Sequence, residues 1–118
     1  MSRPTYQSVA LSGSTNYLPL NITGVATGSA NVIHTAHATN TDELWLDLYN
    51  YTNTDTFVTL MLGGSASHQL LVVPVPSQRG MIPLLKGQRF DGGVVISAFA
   101  SAANRVAIVG QVNRIVYI

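Results

Sequence analysis

The chain has no cysteine among its 118 residues. That excludes a disulfide scaffold, a cysteine-ligated zinc site and a thiol nucleophile. Charge is scarce: Asp, Glu, Lys and Arg make up 9% of the residues, against roughly 25% in ordinary soluble domains, and the net charge is +1. Such a surface must be covered by Ser, Thr, Asn, Gly and small apolar groups. Chains kept soluble as free monomers carry more charge, so the composition points to a subunit docked in an assembly. Long apolar runs are missing too. Nothing approaches the roughly 18 residues of a membrane helix, and no apolar segment of signal-peptide type follows the opening MSRPTYQS. Neither a membrane partner nor a secretory route is expected, and synthesis and folding in a cytoplasm are. The acceptor patterns Asn21-Ile-Thr and Asn50-Tyr-Thr then read as chance matches to the glycosylation motif.

What is present suits one domain, long enough to bury a core without metal or disulfides. The few charges are unevenly placed. Residues 1–78 carry −3, from Arg3 against Asp42, Glu43, Asp47 and Asp55, and residues 79–118 carry +4, from Arg79, Lys86, Arg89, Arg105 and Arg114 against Asp91. Complementary patches of this kind pair within a fold or between neighbouring copies. The bases are interleaved with strand residues and form no run, which argues against direct nucleic-acid binding.

No helical periodicity is found. The apolar segments are short, β-branched and bounded by turn residues, which predicts an all-β fold. Residues 1–29 are rich in Ser, Thr, Asn and Gly and are expected to form an N-terminal arm or edge segment. Residues 30–118 are expected to form a β-sandwich domain, with strands over 31–39, 43–51, 56–62, 68–75, 81–85 and 93–100, and one or two more in 104–118. Pro74 and Pro76 end the fourth of these or place it at a sheet edge. Gly87 marks a turn, and Gly110 a bulge or a point of close backbone approach. Seven or eight short strands at this spacing predict a single-domain antiparallel β-sandwich, jelly-roll or Ig-like.

The most patterned stretch is LWLDLYNYTNTDTFVTLMLGG, residues 44–64. It reads as a β-hairpin with Thr52-Asn53-Thr54-Asp55 as its turn. Leu44, Leu46 and Leu48 share one face, and Trp45, Asp47, Tyr49 and Tyr51 the other. Apolar residues on both faces exceed what one core absorbs, so the second face is expected to meet loops or other chains.

Candidate chemistry is thin. His34 and His37 stand three apart, on opposite faces of a strand, so no metal site is predicted. His34 is expected to be hydrogen-bonded if buried. Asp42 and Asp55 read as turn residues. Asp47 reads as a charge that guards an edge or meets an arginine across an interface. There is no Gly-x-Ser-x-Gly elbow for a catalytic serine and no Gly-rich loop opening a helix. No catalytic residue and no cofactor is predicted. Trp45, Tyr49 and Tyr51 suit either a protein interface or a sugar platform. The interface candidates are Trp45, Asp47, Tyr49, Tyr51, Arg105 and Arg114, the two arginines facing the acidic stretch of a neighbour.

The segment DLYNYTNTDTFVTLMLGG, followed by HQLLVVPVPSQRGMIPLLKGQRFDGGVVISAFASAANRVAIVGQVNRI, resembles small all-β structural proteins from the virions of tailed bacteriophages. The shared features are a strand ending in an Asn-x-Thr turn, Gly-Gly after the return strand, a Val-Pro segment and the closing pattern. The likeness covers about residues 43–115. It implies a virion role without catalysis: a capsid decoration (cement) subunit that self-associates, a trimer favoured, and binds the major capsid protein or other virion proteins, or else a head–tail neck or tail-attached protein. A glycan-binding sandwich module is the remaining alternative.

Overall fold

A computed structural model of the chain describes residues 3–117. Met1, Ser2 and Ile118, which the expected arm and the expected last strand include, lie outside the described residues. Among the described residues nine strands form: β1 (Pro4–Val9), β2 (Leu20–Asn21), β3 (Asn31–Thr35), β4 (Thr41–Asn50), β5 (Thr56–Leu62), β6 (Leu70–Val75), β7 (Ile82–Phe90), β8 (Val95–Ala100) and β9 (Val106–Tyr117). They build two antiparallel sheets. Sheet A has the order β1-β9-β4-β7, with two-residue β2 also on β9, and sheet B has the order β3-β8-β5-β6. The fold is the all-β antiparallel sandwich that the strand spacing predicts.

The pairings define the topology. With β2 set aside, the first of eight strands pairs with the last, the second with the seventh, the third with the sixth and the fourth with the fifth. That is one long antiparallel ribbon rolled up across two sheets, the jelly-roll arrangement. Among consecutive strands only β5 and β6 pair as a hairpin.

This corrects the reading of residues 44–64. They are not a hairpin: β4 belongs to sheet A and β5 to sheet B. Residues 51–55 form an arch from one sheet to the other. A hairpin turn and an inter-sheet arch need the same turn chemistry, so Thr52-Asn53-Thr54-Asp55 is compatible with both. Asn50 decides between them. It is buried, its Nδ2 donates to the carbonyl oxygens of Thr54 at 2.7 Å and Val75 at 3.1 Å, and its Oδ1 accepts from the Thr52 N–H at 2.9 Å and hydroxyl at 2.7 Å. One side chain thus ties the end of β4 to the end of β6 in the opposite sheet.

Alternation along β4 is strict. Asp42, Leu44, Leu46, Leu48 and Asn50 point inward and are buried. The leucines pack with Val58 and Leu60 of β5, Ile96 and Ala98 of β8, and Ile108 and Val112 of β9. Each such side chain contributes roughly 1.5–3 kcal/mol by leaving water. Residues 3–29 run along this sandwich: β1 pairs with β9 from Pro4↔Tyr117 to Val9↔Val112, and Leu11 and Ile22 lie in the core.

Two glycines differ in role. Gly87 ends no strand. It sits inside β7 at φ 86° as the extra residue where Gln88 pairs Leu44 and Lys86 pairs Trp45, a bulge of the kind that favours glycine. Gly110 lies in unbroken register on β9. A Cβ there would collide with the Trp45 carbonyl and with Leu46, so Gly110 is a close-approach point and not a bulge.

Candidate functional site

One buried polar cluster joins the two sheets. Asp42 of β4 and Arg114 of β9 stand directly opposite each other. The guanidinium donates to Asp42 Oδ1 from Nε at 2.8 Å and to Oδ2 from Nη2 at 3.1 Å. His34 of β3, in the other sheet, lies 2.7 Å from Oδ2 through Nε2, and the His37 N–H donates to the same oxygen at 3.1 Å. Burial alone would push the Asp42 carboxyl up. The hydrogen bonds from Arg114, His34 and the His37 amide outweigh it and hold the carboxyl below its ordinary value. The bond to Asp42 in turn raises Arg114.

The tautomer of His34 follows from its partners. Nδ1 accepts the Ser12 N–H at 3.0 Å, so the ring proton sits on Nε2 and is donated to Asp42. Ser12, His34 and Asp42 therefore do not make a nucleophile-activating relay. Ser12 offers its amide to the ring, and its hydroxyl oxygen accepts from the Thr35 N–H at 2.7 Å. His37 turns away, its Nδ1 accepting from the amides of Thr39 and Asn40. Among the described residues no group of three or more His, Cys, Asp and Glu side chains is placed to hold a metal ion.

The outer face of sheet A carries Trp45, Asp47 and Tyr49 of the sequence-predicted interface residues. Trp45 is 40% exposed, lies over Gly87 and donates from Nε1 to Glu43 at 3.2 Å. Glu43 also pairs with Arg89 at 3.3 Å. Asp47 stands between Val109 of β9 and Pro83 of β7. Pro19, Tyr49, Gly80, Met81 and Val109 are among the residues that line a groove of about 380 Å³. Tyr51 donates its hydroxyl to Asn21 at 2.8 Å. Arg105 accepts the Tyr51 N–H with its carbonyl. Arg114 points inward to Asp42 and belongs to the core cluster. Trp45 and Tyr49, four residues apart, are separated along the strand by about 13 Å, and the three aromatics do not merge into one platform.

The outer face of sheet B differs in chemistry. Strands β3, β5, β6 and β8 contain no Asp, Glu, Lys or Arg. The registers place Phe57 beside Pro74, Thr59 between Val72 and Phe99, and Met61 between Leu70 and Ser97, with Val32 and Val95 toward the β3 edge. Phe57 is 56% exposed, Val72 58% and Val32 47%. Contiguous apolar surface of this kind is uncommon on free monomers.

All four sheet edges carry features that impede strand addition. Pro4 opens β1, Pro74 lies in β6, β3 is five residues long with a register shift between Val32 and His34, and β7 has two register shifts as well as Pro83, Lys86 and Arg89.

No family model, curated protein or solved structure matches the chain.

Sequence reasoning missed Asp42 and Asn50, reading the first as a turn residue. The signal was present: both continue the two-residue period of Leu44, Leu46 and Leu48 onto the buried face. It also did not single out the exposed Phe57, Val72 and Val95 of sheet B, because it did not follow the distribution of charge among the strands.

Proposed function

We propose that this protein is a non-enzymatic structural subunit of a bacteriophage virion, a capsid decoration (cement) protein that self-associates and binds the capsid shell. The observation that carries the reading is the charge-free outer face of sheet B, a surface suited to being covered in an assembly. The jelly-roll sandwich, an architecture used in viral capsid and lectin domains, and the resemblance of residues 43–115 to tailed-phage virion proteins support it. Low charge overall is tolerable for a chain that does not remain free. Quantitative mass spectrometry of purified particles tests the reading. Hundreds of copies per particle are expected for decoration; a dozen or fewer would instead indicate a head–tail neck or tail-attached position. A chain never found on particles refutes both.

A further inference from the structure

We propose that the outer face of sheet B is the contact between two copies of this chain, stacked face to face about a two-fold axis. The inference rests on the reading of the protein as a self-associating subunit and names the surface and its occupant. The first ground is elimination. Prolines, bulges, register shifts or charges guard each of the four sheet edges, so growth by adding a strand is impeded at every edge. The outer face of sheet A carries Glu43, Asp47, Lys86 and Arg89. Two such faces brought together must desolvate these groups. The outer face of sheet B has no charged strand residue to desolvate.

The second ground is symmetry. A two-fold contact sets the same patch against itself, so charges near the axis meet their like. A charge-free face escapes that penalty, and it needs no complementary patch of opposite sign on its partner. A trimer, by contrast, has to set this face against a different patch of its neighbour. The texture also suits stacking: Phe57, Met61 and Phe99 alternate with the small Thr59 and Ser97, and two sheets interdigitate in this way at about 10 Å separation.

Size sets the strength. Four strands of about six residues cover roughly 400 Å² in plan. Two copies bury somewhat more than twice that once side-chain relief is counted, near the roughly 1,000 Å² lower bound for a specific interface. The dimer is therefore reversible, dissociating on dilution at concentrations on the order of micromolar, and it is driven by apolar burial.

Sedimentation equilibrium and native mass spectrometry of the full chain, from about 1 µM to 1 mM, test this over the concentration scale expected of so small an interface. The expected result is a shift from the 12.6 kDa chain to twice that mass, unweakened by raising NaCl to about 1 M, where exposed charge pairs are screened. Val72→Lys and Phe57→Lys should each raise the dissociation constant at least tenfold (about 1.4 kcal/mol), and Trp45→Lys on sheet A should not. Far-UV spectra and unfolding midpoints establish that each variant folds. The milder Val72→Thr, which keeps shape and β-branching, should weaken association in the same direction if a lysine variant does not fold. A wild type that stays monomeric, a trimer, or a dimer indifferent to the sheet B substitutions overturns the proposal. A monomer still abundant on purified particles removes this pairing and leaves the virion reading; a dimer never found on particles does the reverse.

Discussion

The Asp42 carboxylate and the Arg114 guanidinium face each other across β4 and β9 with a bidentate contact, Nε to Oδ1 at 2.8 Å and Nη2 to Oδ2 at 3.1 Å, while Asp42 is fully buried. An ion pair inside a sandwich is costly to desolvate. It persists because every buried side-chain polar atom among the described residues is hydrogen-bonded. His34 extends the pair into the second sheet, so the cluster fastens the two layers at one end as Asn50 does at the other.

Removing one partner leaves the other uncompensated. Asp42→Ala is expected to destabilise the fold by about 3 kcal/mol, and Arg114→Ala to do so by a similar or smaller amount because Arg114 reaches the surface. Urea unfolding of both single variants and the double variant measures the coupling. Strictly additive losses would contradict the pairing.

Acid should act through the same residue. The folded Asp42 carboxyl is held below its ordinary value, so its contribution to stability is whole above about pH 4 and is lost as pH falls through the folded value. Unfolding midpoints between about pH 2 and pH 6, a range that brackets the ordinary carboxylate value, should therefore fall toward the acid end. In Asp42→Asn the acid-dependent loss should shrink. An unchanged profile would place the acid-sensitive group elsewhere.

Asn50→Ala strips partners from the Thr54 and Val75 carbonyls and from the Thr52 amide. A loss of about 2–3 kcal/mol is expected, with hydrogen exchange rising first in residues 51–55 and at the end of β6. A uniform rise across the whole fold would argue against a local latch.

The N-terminal segment offers a sharp contrast. A pure assembly arm could be removed without harm to the fold. Deleting residues 2–20 takes away β1, bares one side of β9 and removes Leu11 from the core. The truncated chain is expected to lose its cooperative unfolding transition, measured by far-UV signal against temperature. A stable, cooperatively unfolding remnant would show that the segment is dispensable for the fold.

Gly87→Ala puts a side chain into a left-handed bulge and against the Trp45 ring. The expected cost is about 1–3 kcal/mol, together with a shift in Trp45 fluorescence. Loss of stability without a fluorescence change would separate the bulge from the ring contact.

The all-β class was legible because short β-branched runs between turn residues leave helices no room. The strands β4 and β5 were legible for the same reason, and β4 carried its own burial map in every second residue. The topology was not. Residues 51–55 look alike as a hairpin turn and as an arch, and the difference lies in Val75, which is 25 residues from Asn50. Gly87 looks like a turn until Trp45 and Leu44 supply the register that makes it a bulge.

By itself the sequence determined composition and period: a charge-poor chain, no thiols, strands with two apolar faces, and Asp42 and Asn50 in phase with the core leucines. Only the tertiary structure decided which strands share a sheet. That choice brought Arg114 to Asp42 across 72 residues and made a layer of β3, β8, β5 and β6, none of which carries a charged residue. Local pattern states which side of a strand is buried. Pairing partners come from contacts distant in sequence, and they alone place the uncharged faces of β3, β5, β6 and β8 side by side.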